Sequence, residues 1–322
     1  MSKLVSNERV LTIIEKFANC KVAILGDVML DTFTYGHIER MSPEAPVPIV
    51  LIDSEKQMLG GAGNVAVNIA KLGGEVSLYS RVGEDNEGAK IVSLLSEAGI
   101  TPAHIIKEIN EYPTIEKRRI IVDNKHSVRI DRERILEIND AATESLLKTL
   151  EKKITNIDVI IICDYAKGVI TELSAKKILA LAKTRSIPVI VDTKPGRQKW
   201  FPRVKLIAPN EMEAKKMTNT NDDIAAGKAL NRDIESPVLV TQGSLGMTLF
   251  DNELLVNIPI TETKVVDVSG AGDTVIACCA LAIASGSSLT EAAYISNFAA
   301  GIAVSRPGTA AVKQEDLVAK FT

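Results

Sequence analysis

Cysteine is scarce in this chain of 322 residues, and its placement excludes the common sulfur chemistries. Cys20, Cys163, Cys278 and Cys279 lie beside apolar stretches, and none forms a CxxC or stands at metal-ligand spacing from a histidine. They read as reduced core thiols. An excess of basic charge is missing too: 38 Lys and Arg against 41 Asp and Glu leave a net charge of -3. With no basic field to draw a nucleic-acid backbone or an anionic membrane, neither is expected as a partner, and an anionic ligand must be held by a local site. The longest apolar run, Val275 to Ala284, is too short to span a bilayer. Met1 to Cys20 is charged and helical in pattern, unlike a secretory signal, so a cytoplasmic location is expected.

The two commonest nucleotide cradles are absent as well. No GxxxxGK[ST] occurs, and Gly227–Lys228 lacks the earlier glycine. "GAGNVA" at Gly61–Ala66 has GxGxxA spacing but does not follow the first predicted strand, so a dinucleotide fold is set aside. Internal repeats and low-complexity linkers are also lacking.

What is present is the composition of a chain able to bury a large core, 46% hydrophobic with 25% charged residues, and to make one large domain or two ordinary ones. Short β-branched runs at Val22–Leu25, Val76–Ser80, Val159–Cys163, Val189–Asp192, Leu206–Ala208 and Val238–Thr241 predict buried strands. Helical patterns follow at Asn64–Leu72, Glu87–Glu97, Ala141–Thr155, Ser174–Thr184 and Ile224–Asn231, and close the chain at Thr290–Ser305 and Glu315–Phe321. This alternation predicts an α/β sandwich of three layers, with a mostly parallel sheet between helices. Ligands of such sheets bind at the carboxyl ends of the strands.

Two stretches break the alternation. Phe33–Ile38 with Val47–Asp53, and Thr114–Val122 with Ser127–Ile130, are strand-like without long helices between them, and "VDNKHS" makes a hairpin turn in the second pair. Segments 33–58 and 112–131 are therefore expected to form a small antiparallel lid. An exposed sheet of this kind commonly finds a partner, which makes a homodimer through the lids the expected assembly.

Chemistry concentrates in "DVSGAGDTVIA", Asp267 to Ala277. Gly270, Ala271 and Gly272 let the backbone approach a ligand, and a helix starting there directs free amides and partial positive charge at it. A phosphate suits that position. Asp273, in the first turn, reads either as a carboxylate complementing the helix dipole or as a general base beside a transferred phosphoryl group.

With "GDVMLD" (Gly26–Asp31), "GGAGNVAVNIAKLG" (Gly60–Gly73), "RVGEDNEG" (Arg81–Gly88), "APNEME" (Ala208–Glu213) and "TQGSLG" (Thr241–Gly246), this loop strongly resembles the ribokinase family of ATP-dependent sugar kinases over almost the whole chain. Ser269 departs from that family's usual threonine but keeps a hydroxyl. "RMSPEAPVP" (Arg40–Pro48), "DYAKG" (Asp164–Gly168), "VDTKPG" (Val191–Gly196) and "PGTAAV" resemble the branch that phosphorylates D-glycero-β-D-manno-heptose 7-phosphate at its anomeric oxygen. The resemblance implies one ribokinase-like domain over 1–322 and Mg-ATP as phosphoryl donor. It also implies a 1,7-bisphosphate product on the route to ADP-heptose and the lipopolysaccharide core, with a separate nucleotidyltransferase and a phosphatase acting later.

Residue roles follow from the same resemblance. Asp273 would take the proton of the anomeric hydroxyl, and the amides of Gly270, Ala271 and Gly272 would hold phosphoryl charge. Asp31 and Asp27 would accept hydrogen bonds from sugar hydroxyls, with a strand-capping carboxylate as the other reading of Asp27. Gly60, Gly61 and Asn64 would bring backbone and an amide to the sugar, the glycine pair acting as lid hinge. Thr241, Gly243 and Gly246 would lie along the phosphates, and Asn297, Ala300 and Gly301 would border the adenine unless helix packing alone explains them. Asn210 and Glu213 match the family's NxxE, which holds hydrated Mg²⁺. Lys194 is a candidate phosphoryl cation or a surface lysine. For the 7-phosphate the candidates are Lys117 and Arg119 on one face of a lid strand, with Arg118 on the other and Arg129 nearby; Asp164 and Lys167 are rival substrate contacts. Asp267 with "SRPGT" (Ser305–Thr309) could hold K⁺, although Pro307 departs from the expected turn. A kinase for another sugar and a non-catalytic binding regulator are the alternatives.

Overall fold

The first β-branched run forms β1 (Lys21–Gly26), buried from Val22 onward, and a sheet grows from it in both directions. The computed structural model describes residues 4–101, 105–108, 112–123, 125–260 and 264–322. On one side of β1 lie β4 (Glu75–Gly83) and β5 (Ile105–Glu108). On the other lie β8 (Val159–Asp164), β9 (Val189–Thr193), β10 (Leu206–Ile207) and β11 (Val238–Thr241), all parallel. An antiparallel edge, β12 (Met247–Asp251) and β13 (Leu254–Ile258), completes nine strands in the order β13-β12-β11-β10-β9-β8-β1-β4-β5. The connections run opposite ways from β1, which opens a crevice at the carboxyl ends of β1 and β8.

Helices cover both faces. On one face are α1 (Asn7–Glu15), α2 (Ala62–Lys71), α3 (Asn86–Glu97), α8 (Ala271–Ala284), α9 (Leu289–Val304) and α10 (Gln314–Val318). On the other are α4 (Asp140–Lys153), α5 (Glu172–Thr184), α6 (Glu211–Thr218) and α7 (Asp223–Ile234). Their starts follow from capping chemistry: Asn139, Thr171, Asn210, Asp222 and Ser288 each accept a backbone N–H of the following first turn. α8 is apolar all round and buried from Thr274 to Ile283, because the sheet lies on one side and other helices on the rest. Each large apolar side chain buried there contributes about 1.5–3 kcal/mol, so the helix end carrying Asp273 has a rigid base. All four cysteines are buried and free. Among the described residues no helix is long and apolar enough to cross a membrane.

The segments expected to form a lid make a separate sheet of four strands in the order β3-β2-β6-β7. β2 (Val28–Met41) and β3 (Pro48–Gly61) form a long antiparallel ribbon, and β6 (Glu116–Val122) and β7 (Lys125–Arg132) form a second antiparallel pair. β2 and β6 join parallel at the centre. The first ribbon is longer than the sequence predicts, since β2 begins one residue after the β1 strand turns at Asp27 and its first half is buried. The predicted hairpin turn includes residue 124, which lies outside the described residues. The outer lid leaves Ile38, Met41, Ile52, Val128 and Ile130 47–64% exposed, an apolar surface on a protruding sheet.

Candidate active site

α8 begins at the crevice. Its N-cap, Gly270, has φ +77° and supplies no side-chain cap, so the first-turn amides face outward. A Cβ added at Gly272 would meet nothing within 4 Å: the backbone there borders open space. Asp273, next along, is held by two donors from distant elements. Asn64 Nδ2 of α2 donates to its Oδ2 at 2.6 Å, and the Tyr165 hydroxyl, just past β8, donates to its Oδ1 at 2.8 Å. Burial raises the Asp273 pKa, the Asn64 and Tyr165 bonds pull it back, Asp31 raises it and Lys194 lowers it.

The four-stranded sheet borders one side of this point. β3 ends in Gly60 and Gly61, which lie against β2: a Cβ at Gly60 would strike the Asp31 carboxylate, and Gly61 has φ +57° as N-cap of α2. Asp31 Oδ1 pairs with Arg119 of β6 at 2.5 Å, joining two residues that the sequence placed in different roles. Lys117, on the same strand face, turns to Asp131 at 3.1 Å and Glu133 at 3.5 Å; Arg118, on the opposite face, pairs with Glu55 and Glu116. Arg129 pairs with Asp131, and Lys167 with Glu133 at 2.7 Å.

Two carboxylates expected at the sugar have buried protein partners. Asp27 is 1% exposed and accepts the backbone N–H groups of Tyr165, Lys167 and Val169 at 2.9–3.0 Å. Asp164 is fully buried and accepts from Ala166 N, Thr193 Oγ1 and Arg197. Both hold the "DYAKG" loop through these bonds, which for Asp27 is the strand-capping role that the sequence left open beside a sugar contact. Burial pushes the Asp27 pKa up to about 6 despite those amides, and raises Asp164 as well.

Behind the α8 loop lies a cavity of about 300 Å³. It brings together Thr241, Gly243, Gly246, Ala271, Gly272, Asn297, Ala300 and Gly301, residues spread over 60 positions of sequence. Gly243 (φ +55°) and Gly246 (φ +90°) flank a 3₁₀ turn between β11 and β12, and a Cβ at Gly243 would enter open space. The Asn297 amide is already engaged, donating to Pro259 O at 2.8 Å, so it shapes the wall through the β13 exit.

A charged cluster lies beside Tyr165. Lys194 Nζ lies 2.5 Å from Glu213 Oε1 and 5.3 Å from the centre of the Tyr165 ring. Glu213 Oε2 accepts the Asn210 amide while Asn210 Oδ1 accepts the Glu213 amide, a capping box that fixes the start of α6. Burial alone would lower the Lys194 pKa, but Asp192 and Glu213 outweigh it, so Lys194 remains a cation. On the other flank, Asp267 accepts the amides of Ser269 and Gly308 at 2.9 and 3.0 Å, tying the α8 loop to the turn after α9. Burial opposes these bonds but they prevail and keep its carboxyl below the ordinary range. Among the described residues no cluster of three or more His, Cys, Asp or Glu is placed to hold a metal ion.

Tyr165 and Asp192 escaped the sequence reading. Asp192 closes a predicted buried strand and Tyr165 lies two residues past another, and that position is the available signal. Burial pushes the Asp192 pKa up to about 7, with Lys194 opposing. A carboxylate raised in the folded state favours folding most below its unfolded pKa and loses that share as pH rises through the folded value. Asp192→Asn should therefore narrow the fall in Tm between pH 5 and pH 8 by about 2–4 °C relative to wild type, measured by scanning calorimetry. An unchanged difference would show that Asp192 is ionised without penalty.

The model of the pfkB family of carbohydrate kinases matches residues 20–316. The bifunctional protein HldE of Caulobacter vibrioides is 40% identical over 94% of this chain, and that of Nitratiruptor sp. is 37% identical over 92%. The matched region covers 64% of each relative, so the chain spans less than two thirds of their length. Among solved structures, Arabidopsis thaliana ribokinase complexed with ribose and ATP superposes with a TM-score of 0.74 at 20% identity, covering 94% of this chain and 98% of that one. Escherichia coli phosphofructokinase-2 in complex with potassium gives 0.75 at 20% identity, covering 94% and 99%. These two share the ribokinase-like fold. With the family model matched over nearly its whole length, the chain belongs to the pfkB family of carbohydrate kinases.

Proposed function

We propose that this kinase transfers the γ-phosphoryl group of ATP to the anomeric C1 hydroxyl of D-glycero-β-D-manno-heptose 7-phosphate, giving the 1,7-bisphosphate. The observation that carries the transfer is Asp273, held by Asn64 and Tyr165 at the mouth of the amide loop, with the cavity on one side and the lid on the other. The sugar identity rests on "RMSPEAPVP" and "DYAKG", and is supported by the HldE relatives at about 40% identity.

ATP would place its adenine in the cavity beside Ala300 and Gly301 and its phosphates along Thr241, Gly243 and Gly246. Asp273 takes the C1 hydroxyl proton as that oxygen forms its bond to phosphorus; the bond to the bridging oxygen breaks and ADP leaves with the electron pair. The amides of Gly270, Ala271 and Gly272 meet the equatorial oxygens, where charge changes most. Lys194 supplies a fixed cation. Asp31 and Arg119 meet the sugar from the lid, with Lys117 and Lys167 as cations within reach of a terminal phosphate.

Magnesium, when bound, would neutralise phosphate charge. Glu213 and Asn210 fit an ion held through water rather than directly, since Glu213 is already tied to Lys194 and to an amide. A monovalent cation fits beside Asp267, whose lowered pKa keeps it charged next to the Ser305–Thr309 turn. The apolar outer lid suits a homodimer through the lids. A nucleotidyltransferase and a phosphatase would act on the product or its successor, and the ATP requirement suits the cytoplasm.

The test is ADP release from Mg-ATP with the heptose 7-phosphate, fructose 6-phosphate, ribose, fructose and adenosine. The expected result is a clear preference for the heptose phosphate. Activity confined to another sugar would keep the phosphoryl-transfer site and overturn the substrate. Thermal stabilisation by ligands without any ADP release would instead indicate a binding regulator.

A further inference from the structure

We infer that Tyr165 is the positioning residue for the Asp273 carboxylate, its hydroxyl fixing the acceptor geometry of that group from the side opposite Asn64. The catalytic consequence rests on the phosphoryl-transfer reading above; the contact itself does not.

Three observations converge on it. The Tyr165 hydroxyl reaches Asp273 Oδ1 at 2.8 Å while Asn64 holds Oδ2, so the carboxylate plane is fixed from both ends. Each oxygen still has a lone pair free for a substrate hydroxyl. The loop that carries Tyr165 is held in an unusual shape: Ala166 has φ +58°, a conformation costing about 1–3 kcal/mol that persists only when surroundings impose it. Here the surroundings are Asp27 on three amides of this loop, Asp164 on Ala166 N, and Arg81 on Lys167 O. Finally, burial together with Asp273 and Asp192 raises the Tyr165 phenol well above its ordinary pKa, so it remains a neutral donor.

Removing the hydroxyl has a signed effect. Asp273 is faced by Asp31 from β2, Tyr165 and Cys163 from β8 and its exit, Asp192 from β9, and Lys194 beyond it. The Tyr165 bond favours the ionised carboxylate, so its loss must move the Asp273 titration upward. Tyr165→Phe keeps the ring, which packs near Met29, Tyr112 and Ile115, and keeps the face beneath Lys194.

The experiment has two arms. In the first, the Asp273 carboxyl carbon is titrated by ¹³C NMR in both proteins and assigned with Asp273→Asn. The midpoint should rise by about one pH unit in Tyr165→Phe, and coincident curves would overturn the inference. In the second, the pH profile of kcat/KM is measured on the active sugar. Its acid limb should move upward with the titration and kcat at pH 7 fall about ten- to a hundredfold, while KM for ATP stays near wild type. Superimposable profiles would also overturn it. Wild-type inactivity on every sugar would defeat the proposed function, and the titration arm would still decide Tyr165.

Discussion

Asp273→Asn should lower kcat by about 10²–10⁴ and leave nucleotide affinity and folding close to wild type. The amide cannot take a proton from the attacking hydroxyl, so the step loses its base. Its carbonyl can still accept from Tyr165, and Asn64 can turn its own amide to present oxygen instead of nitrogen, so the constellation keeps its shape. The backbone amides of Gly270 to Gly272 are untouched, which is why KM for ATP should hold. Stability should not fall, because burial penalises the charged carboxylate that the substitution removes. Single-turnover ADP formation and equilibrium nucleotide binding separate these terms. Near-normal turnover would remove the base role from Asp273 and shift attention to the amide loop alone.

Much of the scaffold could be read from the chain because burial on both faces of a parallel sheet leaves a plain mark, a short β-branched run between helical patterns. The strands predicted from Val22, Val76, Val159, Val189, Leu206 and Val238 are β1, β4, β8, β9, β10 and β11. The antiparallel edge was harder, since β13 is half exposed and lacks that mark. The lid's central pairing was hidden for another reason. β2 and β6 lie parallel although 74 residues separate Met41 from Glu116 at the near ends, and no local pattern encodes such a partner.

Site chemistry divides along the same line. The "DVSGAGD" loop is a local device, in which glycine backbone, helix start and acid follow one another, and so it is visible in sequence. Tyr165 meets Asp273 across 108 positions and Arg119 meets Asp31 across 88, so their pairing appears only once the sheet is assembled. Residue type alone left the role of Asp27 open: a carboxylate at a strand's carboxyl end suits a polyol, but it suits three converging backbone amides equally well. Burial decides between those roles, and burial of one aspartate is a property of the fold.

The glycines of the loop allow function and stability to be driven in opposite directions. Gly272 lies in the first turn of α8, is exposed, and a Cβ there meets nothing within 4 Å. Alanine at that position favours the helix by up to about 1 kcal/mol, so Tm should stay level or rise slightly. The new methyl enters the space assigned to the phosphoryl group, so kcat/KM should fall about 10²-fold or more, comparable to losing an oxyanion-hole contact. Gly270 behaves differently. With φ +77° and a Cβ that would lie 2.8 Å from Asn64 Nδ2, Gly270→Ala strains the backbone and displaces the donor that holds Asp273. It should lose activity and about 1–3 kcal/mol of stability together. Calorimetry and ADP release on the two variants give the comparison. If Gly272→Ala were fully active, the phosphoryl group could not pass over that face of the loop, and the amides of α8 would have to be assigned to structure alone.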